Sequence, residues 1–572
     1  MNNINKKLKN IIICIAVLLF VLPLVFPQNI SFADPLPYTD EYHPINMYVN
    51  RKKVNDIAFT IKGNVYIKLS TLKAYGDTSK LKFDTSSGKV SFNVADLDIN
   101  MGSEEASAFI KANAGECYIP IKNFKDENGV NSDYVSIGSV AQLAKFSWSY
   151  SNHALFITQY SSAGNLATTN ILNGSAASLH NQSVAELSSG SKVFIIDESK
   201  SFYKVQAADG SSFFVNKTDV KKVDDPSQLA DYEYIPTQKD HFSSKINLCF
   251  LNLADGATRT PLPPENEHGI DVLSPCWLHQ VVNGNGDVKT ICDYGYVQLA
   301  HDMGYKVWVM ANNCFVSKGS SDFTTKVMES EKLSDKVIAK YLFYTCLCNA
   351  DGINIDYEDL RKSDRDSFSA FMSKLGYYCD ELGLTLAVDT STPESYNTMY
   401  NWQSLASSCD YLIPMTYVEH MGNSVGSISS YGWYSNRINK LINEEGVPKE
   451  QILMGVPFFS RIYYLNSSGS ISSSSTITMK SLRSRIESLK VTPVWNIEAQ
   501  QFIAEYPSTD KTVKVWLEDE HSIAARINYV LESDIAGTAC WALEQEYDGI
   551  LDIFGAIYKD GVDPSVFYKS EY

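Results

Sequence analysis

Asp351-Gly352-Ile353-Asn354-Ile355-Asp356-Tyr357-Glu358 decides how the C-terminal half of this chain is read. On a β-strand, residues two apart share a face. Asn354, Asp356 and Glu358 are then expected to point one way, and Ile353, Ile355 and Tyr357 the other. A strand with a polar face and an apolar face fits a parallel barrel, its polar side turned to the barrel axis and its apolar side to a helix layer. Glu358 falls at the carboxyl end, where barrel enzymes place their chemistry. Two carboxylates stacked behind an amide form a coupled set, in which one acid can stay protonated while its neighbour ionises. Buried charge is costly, so such a strand signals function.

Outward from this strand, apolar runs alternate with helical patterns from about 242 to 566. The candidate strands are Lys245–Leu251, Val272–Cys276, Val307–Ala311, Gly352–Asp356, Thr385–Asp389, Tyr411–Met415, Gln451–Val456 and Ile535–Trp541. Eight buried strands separated by helices indicate a (β/α)8 TIM barrel. The long gap before the eighth strand holds a Ser-rich loop (467–475) and suggests a small α+β insertion.

The octapeptide resembles the DGxDxDxE signature of glycoside hydrolase family 18, the family of chitinases and endo-N-acetylglucosaminidases. Asn354 departs from it, since most members carry Asp there. The same variant occurs in a branch of spore-cortex and cell-wall N-acetylglucosaminidases. "SPCWLHQ" from Ser274, "MTYVEH" from Met415, "GVPFF" from Gly455 and "WLEDEHS" from Trp516 also resemble that branch. The resemblance implies a substrate-assisted mechanism, in which the sugar's own 2-acetamido oxygen attacks the anomeric carbon. It further implies that Glu358 is the acid, that Asp356 holds the acetamido N–H, and that Asn354 supports Asp356 by hydrogen bonding. Tyr417 would bind the acetamido oxygen, and Trp541 would form the floor beneath the sugar. Met415, Trp277, Glu419 and His420 are further substrate-side candidates. Trp433 is as well explained by packing. Many relatives have Asp directly after the sixth-strand tyrosine; this chain has Val418 and then Glu419, a partial replacement candidate.

Ahead of the barrel, residues 44–160 read as two related β-rich units with period-2 strands. They resemble the N-terminal stalk domain of copper amine oxidases, without a His cluster that would hold copper. Residues 166–224 read as a small β-barrel, with Asp209-Gly210 as a hairpin turn, and resemble bacterial SH3 domains. That resemblance implies a hold on cell-wall peptide or glycan; a plain spacer is the alternative. At the N-terminus, Lys6, Lys7 and Lys9 precede an apolar run from Ile11 to Phe26 and then Ser31-Phe32-Ala33. This is the pattern of a secretory signal peptide spanning 1–33. Pro23 and Pro27 weigh against a stable transmembrane helix, and a retained anchor is the alternative.

Composition narrows the partners. Across 572 residues, 44% are hydrophobic and 20% charged, as expected of folded domains. Lys and Arg total 49 against 66 Asp and Glu, a net charge of −17. With no polybasic stretch to displace phosphate counterions, nucleic acid is a poor partner. The scattered cysteines, with no CxxC pair, read as buried apolar side chains. No HExxH helix, GxSxG elbow or Walker-type loop is present, and no cofactor or metal is implied. The expectation is therefore a secreted, wall-associated hydrolase acting on N-acetylglucosamine-containing polysaccharide, peptidoglycan first. A chitinase and a non-catalytic glycan-binding protein are the alternatives.

Overall fold

The computed structural model describes residues 43–568, apart from internal stretches of at most six residues. Residues 1–33, read from the sequence as a signal peptide, and Asp209-Gly210, read as a hairpin turn, lie outside the described residues.

Eight parallel strands form the C-terminal barrel: β1 (Ile246–Leu251), β2 (Val272–Gln280), β3 (Lys306–Asn312), β4 (Gly352–Asp356), β5 (Thr385–Thr390), β6 (Tyr411–Pro414), β7 (Leu453–Pro457) and β8 (Gly537–Trp541). They pair in the order β6-β5-β4-β3-β2-β1-β8-β7, all parallel. A parallel bridge from Leu412 to Ile452 brings β6 to β7 and closes the ring. The expected TIM barrel is present, with strand ends within a few residues of those read from the sequence.

Two apolar layers follow from the pleat. Leu248, Phe250, Cys276, Met310, Ala387 and Ala539 pack inside the barrel. Ile353, Ile355, Leu386 and Val388 face outward into the helix layer. Tyr357 does the same, its ring stacked with Phe368 and Phe371 of helix Arg365–Glu381. The alternation read from the octapeptide is therefore the one in the barrel wall.

Between β7 and β8 stands an inserted subdomain. Its five-stranded antiparallel sheet runs from Phe459 to Trp516, with helix Met479–Leu489 contributing Leu482 and Ile486 to its core. The Ser-rich segment differs from the expected loop. Ile471–Thr478 is a strand paired with Phe459–Leu465. It lies at the sheet edge, where serine side chains can stand in water without loss.

The N-terminal region contains two strand–helix–hairpin units. The first runs from Asn64–Lys68 through helix Leu69–Tyr75 to the hairpin Lys82–Asp84 and Lys89–Asn93. The second runs from Asn131–Ser136 through Ile137–Val140 to the hairpin Phe146–Ser151 and Ala154–Gln159. Strand Glu116–Pro120 adds to the first hairpin. The strand that opens the second unit, Asn131–Ser136, carries too few apolar residues to be seen in advance.

This region docks firmly on the barrel. Phe109 of helix Glu104–Asn113 stacks on Tyr378 at 4.0 Å. The Tyr344 hydroxyl accepts the Tyr118 N–H at 3.0 Å, and the Tyr118 hydroxyl accepts the Thr290 N–H at 3.0 Å. Asn64 donates to the buried carboxylate of Asp293 at 2.7 Å. Between these units, strands within 166–222 form a separate sheet whose small core holds Ala167, Val193, Ile195, Val205 and Val215.

Among the described residues no helix is long and apolar enough to cross a membrane. The ten cysteines from Cys117 to Cys540 are free thiols, all buried except the half-buried Cys292 and Cys314.

Candidate active site

At the carboxyl end of β4 the chain leaves the barrel wall, and two groups of contacts hold Glu358 in place. Asn313, just after β3, grips its backbone from both sides. Asn313 Nδ2 donates to the Glu358 carbonyl at 2.7 Å, and Asn313 Oδ1 accepts the Glu358 N–H at 3.3 Å. Tyr400 closes the other flank by donating to the Tyr357 carbonyl at 2.8 Å. The next residue, Asp359, sits in the left-handed region at φ 54°, which turns the loop sharply away. Neither Asn313 nor Tyr400 was found from the sequence. Both lie in loops after barrel strands, and nothing in their local pattern marks them.

Asn354 and Asp356 are buried on the inner face of β4, 0% and 4% exposed. Beside them on β5 is a third carboxyl, Asp389, 3% exposed. Asn354 Nδ2 donates to Asp389 Oδ2 at 2.9 Å. Its amide N–H₂ thus serves Asp389 on the neighbouring strand. Asp389 had a sequence signal, since Thr385, Ala387 and Asp389 alternate onto one face of a candidate strand. Which strand would lie alongside β4 was not readable from that pattern.

The electrostatics follow from burial. Glu358 is pushed up to about 7 by burial and by Asp359. Its carboxyl can therefore hold a proton at neutral pH, as a general acid must. Asp356 is held well above the usual carboxylate range by burial, then by Asp389 and Glu358. Asp389 is raised by burial and by Glu358, and the Asn354 hydrogen bond only partly offsets this. Three carboxyls thus share one desolvated space and cannot all ionise together.

Tyr417 follows β6, and burial together with Asp389, Asp356 and Glu358 keeps its hydroxyl protonated. Thr416 helps to fix it by donating to the Gly455 carbonyl at 2.5 Å. Gly455 matters by its size, because a Cβ there would stand 2.9 Å from Cε1 of Tyr417 and 2.7 Å from the Pro414 carbonyl oxygen. Trp541 ends β8 inside the barrel, half-buried, with its ring 5.3 Å from Phe250. The Trp541–Ala542 peptide is cis. Met415 is half-buried at the end of β6, its N–H bound to the Thr390 carbonyl at 2.8 Å.

Three other candidates are placed differently. Trp277 faces outward, fully buried against Tyr296, with Nε1 donating to Thr260 at 2.7 Å. The strand alternation that turns Cys276 inward turns Trp277 away from the cleft. Glu419 is occupied at the start of helix Tyr431–Asn443, where its carboxylate accepts the Ser430 N–H at 2.7 Å and the Ser430 hydroxyl at 2.9 Å. His420 Nδ1–H donates to the Ser427 carbonyl at 2.7 Å, so that nitrogen is engaged within its own loop. Trp433, on the same helix as Ser430's cap, lies under the Arg437 guanidinium at 5.7 Å. Among the described residues no group of His, Cys, Asp and Glu could hold a metal ion.

Residues 317–546 match the family described as Glycosyl hydrolases family 18. The chain is 22% identical over 261 residues to the glycosylase YvbX of Bacillus subtilis (strain 168), covering 42% of this chain and 72% of that protein. Among solved structures, the spore cortex-lytic enzyme SleL of Bacillus megaterium QM B1551 is similar at TM-score 0.48 and 16% identity, over 67% of this chain and 91% of that one. A chitinase of Chromobacterium violaceum ATCC 12472 is similar at TM-score 0.47 and 18% identity, over 54% and 97%.

Proposed function

From a chain that carries a family 18 glycosyl hydrolase domain across residues 317–546, we propose an enzyme that cuts β-1,4 bonds after N-acetylglucosamine in bacterial peptidoglycan. The observation that carries this reading is the pair of buried side chains Asn354 and Asp356 on β4 with Glu358 just beyond the strand, its carboxyl raised to about 7. An acid of that strength is protonated for much of its time at neutral pH and is not far below the pH at which it must act.

The mechanism proceeds without a protein nucleophile. Glu358 gives its proton to the leaving glycosidic oxygen while the acetamido oxygen of the sugar attacks the anomeric carbon. The glycosidic bond breaks and an oxazolinium ring forms. Asp356, ionised at this stage, holds the acetamido N–H and stabilises the positive ring. The Tyr417 hydroxyl donates to the acetamido oxygen and orients it for attack. The Glu358 carboxylate then takes a proton from water, which opens the ring with net retention. Trp541 offers an apolar face to the C–H groups of the sugar.

Peptidoglycan is preferred to chitin on two sequence grounds: the Asn354 and "MTYVEH" variants, and the β-rich units ahead of the barrel. In that polymer the lactyl ether crowds each muramic acid, which favours N-acetylglucosamine in the reacting position. Export and wall association are part of the same proposal and rest on the pattern of residues 1–33.

Purified protein, as wild type and as Glu358→Gln, would be incubated with peptidoglycan, cortex fragments and chitin oligomers. Products would be read by mass spectrometry after borohydride reduction. Reduced N-acetylglucosamine ends from the wall substrates, absent with the variant, are expected. Cleavage of chitin alone would reassign the substrate, and no cleavage of any of the three would refute the proposal.

A further inference from the structure

An asparagine in the middle of the β4 face removes the carboxylate that would otherwise stand beside Asp356. On the adjacent strand the structure supplies another. Asp389 lies on the inner face of β5, which pairs with β4 through Asn354↔Ala387 and Ile355↔Val388. Asn354 Nδ2 is committed to Asp389 Oδ2 at 2.9 Å. The remaining polar atoms, Asn354 Oδ1 and Asp389 Oδ1, are buried without a hydrogen-bond partner. A buried acceptor left empty is costly, so both are suited to receive a proton-bearing neighbour.

We propose that Asp389 is a positioning residue for the glycosidase reaction: by fixing the Asn354 amide, it turns Oδ1 of Asn354 toward a protonated Asp356 and supplies from β5 the second carboxylate missing from β4. The inference rests on the roles given above to Asp356 and Glu358. A protonated Asp356 that turns inward can donate to the Asn354 Oδ1 that the structure leaves without a partner. When substrate arrives, Asp356 gives that proton up to solvent water and turns, as the carboxylate, to the acetamido N–H. Asp389 touches no reacting atom and acts through the amide. The titratable groups that feel its charge are Asp356 on β4, Cys276 on β2, Tyr400 after β5 and Tyr417 after β6; Glu358, on the loop after β4, acts on Asp389 in turn.

The test is a carboxylate swap, comparing wild type, Asp389→Asn, Asn354→Asp and the double variant Asn354→Asp/Asp389→Asn. Removing the negative neighbour lowers the pH at which Asp356 ionises, so the acidic limb of the kcat profile moves to lower pH in Asp389→Asn. A roughly tenfold fall in kcat, with KM within about twofold, is expected alongside it. The double variant returns the carboxylate to β4 and is expected to recover most of the lost kcat and to restore the limb. An unchanged profile in Asp389→Asn, or a double variant no better than that single one, overturns the proposal. If Asp389→Asn alone does not fold, a folded and active double variant supports it and an inactive one refutes it. A substrate-free arm separates this from an error in the proposed substrate. The thermal shifts of Asp356→Asn and Asp389→Asn at pH 8 should be non-additive if the two are coupled; additive shifts overturn the proposal whatever the enzyme cleaves.

Discussion

Glu358 should hold back the stability of the very domain it serves, and replacing it with Gln should reveal by how much. The carboxyl is raised from its ordinary 4.5 to about 7, first by burial and then by Asp359. Below pH 4.5 it is protonated in both folded and unfolded chains, and its burial has little electrostatic cost. Above pH 7 it is ionised in both, and the folded state bears the whole penalty. At 1.36 kcal/mol per pH unit, that penalty reaches about 3 kcal/mol. A domain of about 320 residues unfolds with an entropy near 0.7 kcal/mol/K, so about 3 kcal/mol corresponds to roughly 4 °C in Tm. Glu358→Gln keeps the shape and removes the charge. It is expected to melt about 4 °C above wild type at pH 8.5 and level with it at pH 4.5, while glycosidase activity falls by several orders of magnitude. Differential scanning calorimetry across that range measures the first, and product release measures the second. A Tm difference that does not grow with pH would refute the assignment of a buried, raised carboxyl at this position.

Two further outcomes test the surroundings. Asn313→Ala removes both hydrogen bonds that grip the Glu358 backbone and leaves buried groups unpaired, at about 1–3 kcal/mol; kcat should fall by about tenfold or more with the acidic and alkaline limbs of the pH profile in place. Glu419→Ala removes the contacts with Ser430 at the start of helix Tyr431–Asn443 and should cost about 1 kcal/mol in thermal denaturation. Its kcat profile should match wild type, and a shifted alkaline limb would return Glu419 to the reacting groups.

What could be read from the sequence and what could not divide along a physical line. Strand β4 was legible to the residue because both of its periodicities are strong: apolar Ile353 and Ile355 outward, polar Asn354 and Asp356 inward. The other barrel strands were legible as apolar runs, since strands buried on both faces carry almost nothing else. Pairing between strands is non-local and leaves no mark on a single run, so the meeting of Asn354 with Asp389 was hidden although each position was visible. Trp277 shows the converse. It read as a substrate-side candidate, but one residue of strand register decides between cleft and helix layer, and Cys276 took the inward position. Asn313 and Tyr400 act through their contacts with main-chain groups at the end of a neighbouring strand, a role any polar loop residue could fill. Glu419 was misplaced for a related reason: a carboxylate near a strand end reads the same whether it meets substrate or a helix start.

The N-terminal units alter what the barrel is as a physical object. Phe92, Ile110, Val135 and Ile157 belong to the same continuous apolar core as Tyr341, Phe343 and Leu375 of the barrel's helix layer. Even the segment that leads into the barrel turns back, with Tyr232–Tyr234 pairing in parallel with Ile99–Met101. Helix Glu331–Leu347 explains why. It is buried along most of its length, including Lys340, whose ammonium donates to the Glu116 carbonyl. A barrel helix normally keeps a polar face for water; this one has an apolar second face because it has a second partner. The helix also lies directly before β4 in the chain and packs behind it, its Tyr341 hydroxyl 2.8 Å from that of Tyr357. The N-terminal units therefore bear on the strand that carries the carboxyls through one layer of packed side chains.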